Sequence, residues 1–193
     1  MKKLIILSAA VAAAFPVAAN AQDVDGARIE ARVGYETPTV SGDFAGDDEV
    51  YKMGSAVSYG GEVGYDLKLG EKVTFGPYAN YELSGVKSCE DGFCVKVKNT
   101  FSAGARIGYA PSPNGVVYVK VGYANMRVQA SGDGDSETMS HGGIQGALGY
   151  EGNFSKNAYW KIEGVYSDNG ELFDIPDLNV QRRQLVAGVG MRF

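Results

Sequence analysis

The chain has 193 residues, among them 27 Gly, 12 Tyr and a single Trp, and a formal net charge of -5. That length holds one domain, and the wealth of Gly and Tyr, with no apolar run of about 18 residues beyond the first two dozen positions, argues against a helical bundle and against a membrane protein built from helices. The acidic balance and the lack of a basic cluster exclude nucleic acid as a partner.

The chain begins "MKKLIILSAAVAAAFPVAANAQ", where Lys2 and Lys3 precede an apolar stretch that ends at Pro16 and a small-x-small site at Ala19, Asn20 and Ala21. This is the pattern of a secretory signal peptide over residues 1–21, leaving residues 22–193 as one domain. Export leads to an oxidising compartment, where Cys89 and Cys94 of "SCEDGFC" are expected to form a loop disulfide. With no His nearby, metal ligation by this pair is the weaker alternative.

From there the sequence alternates with period two, and one member of each pair is apolar or small. Ile29, Ala31, Val33 and Tyr35 share a face opposed by Glu30 and Arg32. Next come Val57, Tyr59, Val63, Tyr65 and Leu67 against Ser58, Glu62, Asp66 and Lys68, then Val73, Phe75, Ala79, Tyr81 and Leu83 against Tyr78, Asn80 and Glu82. Phe101, Ala103, Ala105, Ile107 and Tyr109 oppose Thr100, Ser102 and Arg106, and Val117, Val119, Val121 and Tyr123 oppose Tyr118 and Lys120. The last three segments set Ile144, Leu148 and Tyr150 against Gln145 and Glu151, Trp160, Ile162 and Tyr166 against Lys161 and Glu163, and Leu185, Ala187, Val189, Met191 and Phe193 against Gln184 and Arg192.

Eight such segments suit a small closed barrel, and an even number returns both termini to one side. Connections alternate, long after the odd-numbered segments and short at "LGEK", "PSPNG" and "GNFSKN". Traced up and down, the outward aromatics form two rows: Tyr35, Tyr59, Tyr81, Phe101, Tyr123 and Tyr166 near the long loops, and Phe75, Tyr65, Tyr109, Tyr150, Trp160 and Phe193 near the short turns. Rings with an apolar body and a polar tip belong at the two interfaces of a bilayer, whereas a soluble lipocalin-like barrel has no reason to sort them. The expected fold is therefore all-β, an eight-stranded antiparallel up-and-down transmembrane β-barrel in the outer membrane, with both mature termini periplasmic.

On these features, and on the ending "GVGMRF", the chain resembles the small eight-stranded outer-membrane barrels typified by the OmpA transmembrane domain and the opacity-type and OmpX-type surface proteins. The resemblance implies that Val189, Met191 and Phe193 form a C-terminal signal read by the barrel-assembly machinery. It also implies that, unlike full-length OmpA, the chain carries no peptidoglycan-binding domain.

A two-residue turn at Asp91 and Gly92 pairs Cys89 with Cys94, but also sets the outward Leu83 against the inward Thr100, so a bulge is expected below that loop tip. Enzymes exist on this fold, among them lipid A deacylases and palmitoyl transferases. Here Ser140, His141 and Glu137 are the one candidate nucleophile, base and orienter, yet His141 is expected to be a solvated loop residue and no catalytic site is assigned. The acidic stretches "SGDFAGDDE" and "SGDGDSET" lack a calcium-loop pattern and are expected to be solvated, mobile loops, with no metal and no cofactor.

Above the upper girdle the outward positions are basic, at Lys87, Arg127 and Arg183, where they are expected to meet lipid phosphates, those of lipopolysaccharide among them. The inward set holds Arg28, Arg32, Lys68, Lys98, Arg106, Lys120, Lys161, Arg182 and Arg192 against Glu30, Glu36, Glu62, Asp66, Glu82, Glu151 and Glu163. Such charges persist in a confined space only when paired, so a lumen network is expected around Arg32, Glu62, Glu82, Arg106, Lys120 and Glu163. The inward Gly60, Gly64, Gly104, Gly108 and Gly122 mark the side left open to a file of water. The expected role is structural or interactive at the cell surface; a narrow porin is the alternative, and a lipid-modifying enzyme comes third.

Overall fold

The computed structural model describes residues 25–44, 47–52, 54–90, 92–112, 114–132, 135–171 and 179–193. The predicted signal segment 1–21 lies outside them, as do Asp91 of the predicted turn and part of each acidic stretch. Every regular element among the described residues is a strand: β1 (Gly26–Phe44), β2 (Asp47–Lys52), β3 (Ala56–Lys68), β4 (Val73–Ser84), β5 (Lys87–Glu90), β6 (Phe93–Ser112), β7 (Gly115–Gly132), β8 (Asp135–Asn153), β9 (Ala158–Glu171) and β10 (Asn179–Arg192).

Eight of these run antiparallel in the order β1, β3, β4, β6, β7, β8, β9, β10, and β10 pairs back onto β1, so the sheet closes and no long edge is left open. The short β2 and β5 extend β1 and β6 as hairpin partners. The alternation that marked each segment becomes the two faces of this wall. Glu30, Arg32, Glu62, Glu82, Lys120 and Glu163 are buried inside, and Ile29, Val33, Tyr59, Phe101, Val121, Leu148 and Phe193 are exposed outside.

A strand needs about 9–11 residues to cross the hydrocarbon. With 20 residues in β6, 18 in β7 and 19 in β8, the wall rises well beyond it at the end away from the short turns. The backbone of the two acidic stretches accordingly forms hairpin strands for most of its length, where solvated loops were expected. The side chains of 42–51 lie outside the described residues.

The expected bulge is present and its position matters. Leu83 pairs with Asn99, yet Lys87 pairs with Lys96, so the β4–β5 and β6 registers differ by one. Against β7, Val97 pairs with Val128 and Asn99 with Arg127, leaving Lys98 as the extra residue. A bulged residue reverses the in-out parity beyond it. Val97 therefore turns inward and is fully buried, while Lys98 is exposed, correcting its assignment to the lumen. Beyond the bulge, Cys89 faces Cys94 and the two form the disulfide. Lys68 also leaves the inward set: it ends β3 at the short-turn side and is exposed.

Candidate functional site

Among the described residues the lumen holds seven buried bases and seven buried acids, namely Arg28, Arg32, Arg106, Lys120, Lys161, Arg182 and Arg192 with Glu30, Glu36, Glu62, Asp66, Glu82, Glu151 and Glu163. They meet in three connected layers. In the middle, Glu62 of β3 accepts from Arg28 at 2.9 Å, Arg32 at 2.6 Å and Lys120 at 2.7 Å. Glu163 on β9 meets Lys120 at 2.6 Å and Arg32 at 3.1 Å and accepts from the Tyr118 hydroxyl at 3.0 Å. The register sets Glu30 directly beside Glu62, a repulsive pair of carboxylates. Lys161 contacts both, and Arg28 and the Tyr159 hydroxyl also donate to Glu30, at 2.6 and 2.7 Å.

Toward the short turns, Asp66 and Glu151 receive Arg106 at 2.9 and 2.7 Å and Arg192 at 3.1 and 2.9 Å. Toward the long hairpins, Glu82 receives Arg182 at 3.0 Å and Gln184 at 3.3 Å, and Arg182 also pairs with Glu36, to which Ser84 donates. Two arginines join the layers: Arg28 reaches down to Asp66 at 3.2 Å, and Arg32 reaches up to Glu82 at 2.8 Å. Of the six residues singled out in the sequence, Arg32, Glu62, Glu82, Lys120 and Glu163 are in direct contact as one cluster. Arg106 is not among them; it belongs to the lower layer and is joined to Glu62 by ion pairs through Asp66 and Arg28.

Aromatic side chains fill the space between the ions. The Arg106 guanidinium lies 4.0 Å over the Tyr118 ring, Lys120 4.9 Å over Tyr78 and Arg192 5.0 Å over Tyr159, distances at which a cation is attracted to the ring face. Tyr159 was missed in the sequence, although it occupies the inward parity two residues before Lys161.

Gly64, Gly122 and Gly149 leave room for lumen side chains of neighbouring strands. A methyl group on Gly64 would meet the Arg28 guanidinium at 2.5 Å, one on Gly122 the Tyr78 hydroxyl at 2.6 Å, and one on Gly149 the Tyr118 ring at 2.3 Å. Gly149→Val should therefore cost about 1–3 kcal/mol by overpacking, read as a lower urea midpoint of the refolded barrel. An unchanged midpoint would show that space remains beside Tyr118.

Above the upper layer the lumen changes character. Val86, Val97, Met126, Val128 and Val180 are buried together, with Ala56 and Val95 against them. His141 faces Met126 across the β7–β8 ladder and is 8% exposed, so it is a buried strand residue and not the solvated loop histidine expected. Ser140, its neighbour, is exposed on the opposite face, because successive residues of a strand point opposite ways. That alternation separates the nucleophile and base considered for catalysis.

On the outer surface, Lys87, Arg127 and Arg183 are all exposed. They do not form one group. Lys87 and Arg127 sit on the β5–β7 side, whereas Arg183 lies on β10, on the opposite side of the closed strand order. Val189, Met191 and Phe193 are exposed on the outward face of the terminal strand, and the Phe193 amide donates to the Ala27 carbonyl at 2.8 Å, seaming the chain end to β1.

No curated protein matches the chain in sequence. Among solved structures it is similar to Ail, the attachment invasion locus protein of Yersinia pestis, in complex with the heparin analogue sucrose octasulfate, at 16% identity over 87% of this chain and 99% of that one, with a TM-score of 0.57. Neisserial surface protein A is similar at 14% identity, 88% and 100% coverage and a TM-score of 0.57. The N-terminal β-barrel domain of Pseudomonas aeruginosa OprF follows at 18%, 84%, 97% and 0.51. At these identities the likeness is one of fold. The family described as outer membrane protein beta-barrel domain matches residues 7–193. With a closed antiparallel barrel, an apolar exterior and a charged interior already in view, the chain belongs to that outer-membrane β-barrel family.

Proposed function

We propose that this protein is a plugged barrel with a structural or surface-interaction role and no chemistry of its own. Residues 1–21 serve as its export signal, both mature termini are periplasmic, and the barrel-assembly machinery recognises its last strand. The observation that carries this reading is the three-layer network. Glu62 on β3 is bridged to Lys120 on β7 and Lys161 on β9, so salt bridges cross the interior at the level where a channel would have its constriction. Opening such a path means separating ions held in a medium of low dielectric, a cost of several kcal/mol per stranded charge. Above it, the valine and methionine layer closes the lumen again with side chains that water wets poorly.

The unequal ends support this orientation. The connections at 69–72 and 154–157 are short, as periplasmic turns are, and the extended β6, β7 and β8 stand on the outer side. Planar-bilayer recording of purified, folded protein separates the plug from the narrow-porin alternative. The expected record is silent; stable, reproducible single-channel steps would replace the plugged reading with the channel.

A further inference from the structure

We infer that the outward face of β5, β6 and β7, just above the upper aromatic girdle, binds the phosphorylated sugar headgroup of an outer-leaflet glycolipid, with Lys87, Lys96, Lys98 and Arg127 as its cations. The inference rests on the orientation proposed above. All four side chains are exposed. Lys87 stands directly opposite Lys96, Lys98 is the bulged residue two positions further along β6, and Asn99 beside it pairs with Arg127. The outward positions around them are Leu83, Asn99, Gln129, Thr138 and Ser140, so among the described residues no carboxylate shares the patch.

Two lysines directly opposite each other in a ladder repel, and a structure bears that cost more easily when an anion bridges them. Here the repulsion is held in place. The disulfide between Cys89 and Cys94 ties the same hairpin two residues beyond, and the buried Val86, Val97 and Val128 underlie it on the inner face. The bulge that turned Val97 into this apolar layer is also what turned Lys98 out. One irregularity thus builds both the support and the patch.

Height and direction select a membrane source for the anion. The patch continues the outward parity of Tyr81, Phe101 and Tyr123 and begins one pair above the Tyr81 and Phe101 level, where Asn99 donates to the Tyr81 hydroxyl at 2.6 Å. It faces sideways into the headgroup layer. Several cations at that depth suit more than one phosphate on a single headgroup, each taken by charge-assisted hydrogen bonds. Lipopolysaccharide has this chemistry. Arg183, across the barrel and alone among its outward neighbours Thr37 and Tyr166, offers one charge and no such cluster.

The test mixes folded protein in micelles with lipopolysaccharide, and separately with the same glycolipid after its phosphates are removed, and counts retained lipid by native mass spectrometry. Wild type should hold the phosphorylated form at least about tenfold better, and a variant carrying K87Q, K96Q, K98Q and R127Q should lose that preference. Lys156→Gln, which removes one charge at the opposite end, should keep it. Should the fourfold variant fail to show heat-modifiable migration, the pairs K87Q/K96Q and K98Q/R127Q are measured instead, each expected to weaken retention. Retention equal to wild type in the variants, or equal retention of the dephosphorylated glycolipid, overturns the proposal. Soluble inorganic polyphosphate bound as tightly as the glycolipid overturns the membrane source. Folding and conductance are read independently, so failure here leaves the plugged-barrel reading in place.

Discussion

Replacing Glu62 with Leu should destabilise the folded barrel by about 3–5 kcal/mol, the cost of leaving buried charges without their partner. Glu62 contacts Arg28, Arg32, Lys120 and Lys161, so one substitution removes a carboxylate that four buried cations share. Urea unfolding in lipid vesicles, followed by heat-modifiable migration, measures the loss. Lys156→Gln, whose side chain is exposed at a short turn, should change the unfolding free energy by less than about 0.5 kcal/mol. If the two variants behave alike, the lumen is hydrated enough to screen its ions and the network contributes little.

Deleting Phe193, or changing it to Asp, should sharply reduce the amount of folded barrel reaching the outer membrane. Phe193 is 70% exposed on the outward face of the strand that closes the barrel, so its ring has no role in the lumen. In the proposed reading it serves in lipid contact and in recognition during assembly. The folded protein should keep its stability once refolded in vitro, because deletion removes one backbone bond, from the Phe193 amide to Ala27, and leaves the adjoining seam of 14 paired positions intact. Normal assembly in cells would refute the recognition role, while poor refolding in vitro would make the residue structural instead.

The eight-stranded wall was legible because a strand between lipid and a charged interior alternates with period two. Glu30 and Arg32 between Ile29, Ala31 and Val33 leave only one choice of face. Parity carries no information about where it breaks. Lys98 follows Val97 as any inward base would, and only the pairing of Asn99 with Arg127 and Val97 with Val128 shows it to be the inserted residue. The same break hid the apolar layer, since Val97 joins Val86 and Val128 on the inner face only because the parity reverses at Lys98. His141 was misplaced for a related reason. "SETMSHGG" has turn-like composition, yet β8 runs through it because β7 continues alongside and supplies the ladder. Which partners each lumen charge takes was beyond sequence pattern, because contacts such as Lys120 to Glu62 depend on which strands face each other across the closed barrel.

That pair gives the most direct measurement of the central claim. A double-mutant cycle with Glu62→Gln and Lys120→Met compares the two single variants with the double by urea unfolding in the same vesicles. Contact between a β3 carboxylate and a β7 ammonium across the lumen predicts a coupling of about 2 kcal/mol, with the double variant markedly less destabilised than the sum of the singles. Effects that add to within about 0.5 kcal/mol would mean that the two side chains do not meet and that the lumen is not bridged.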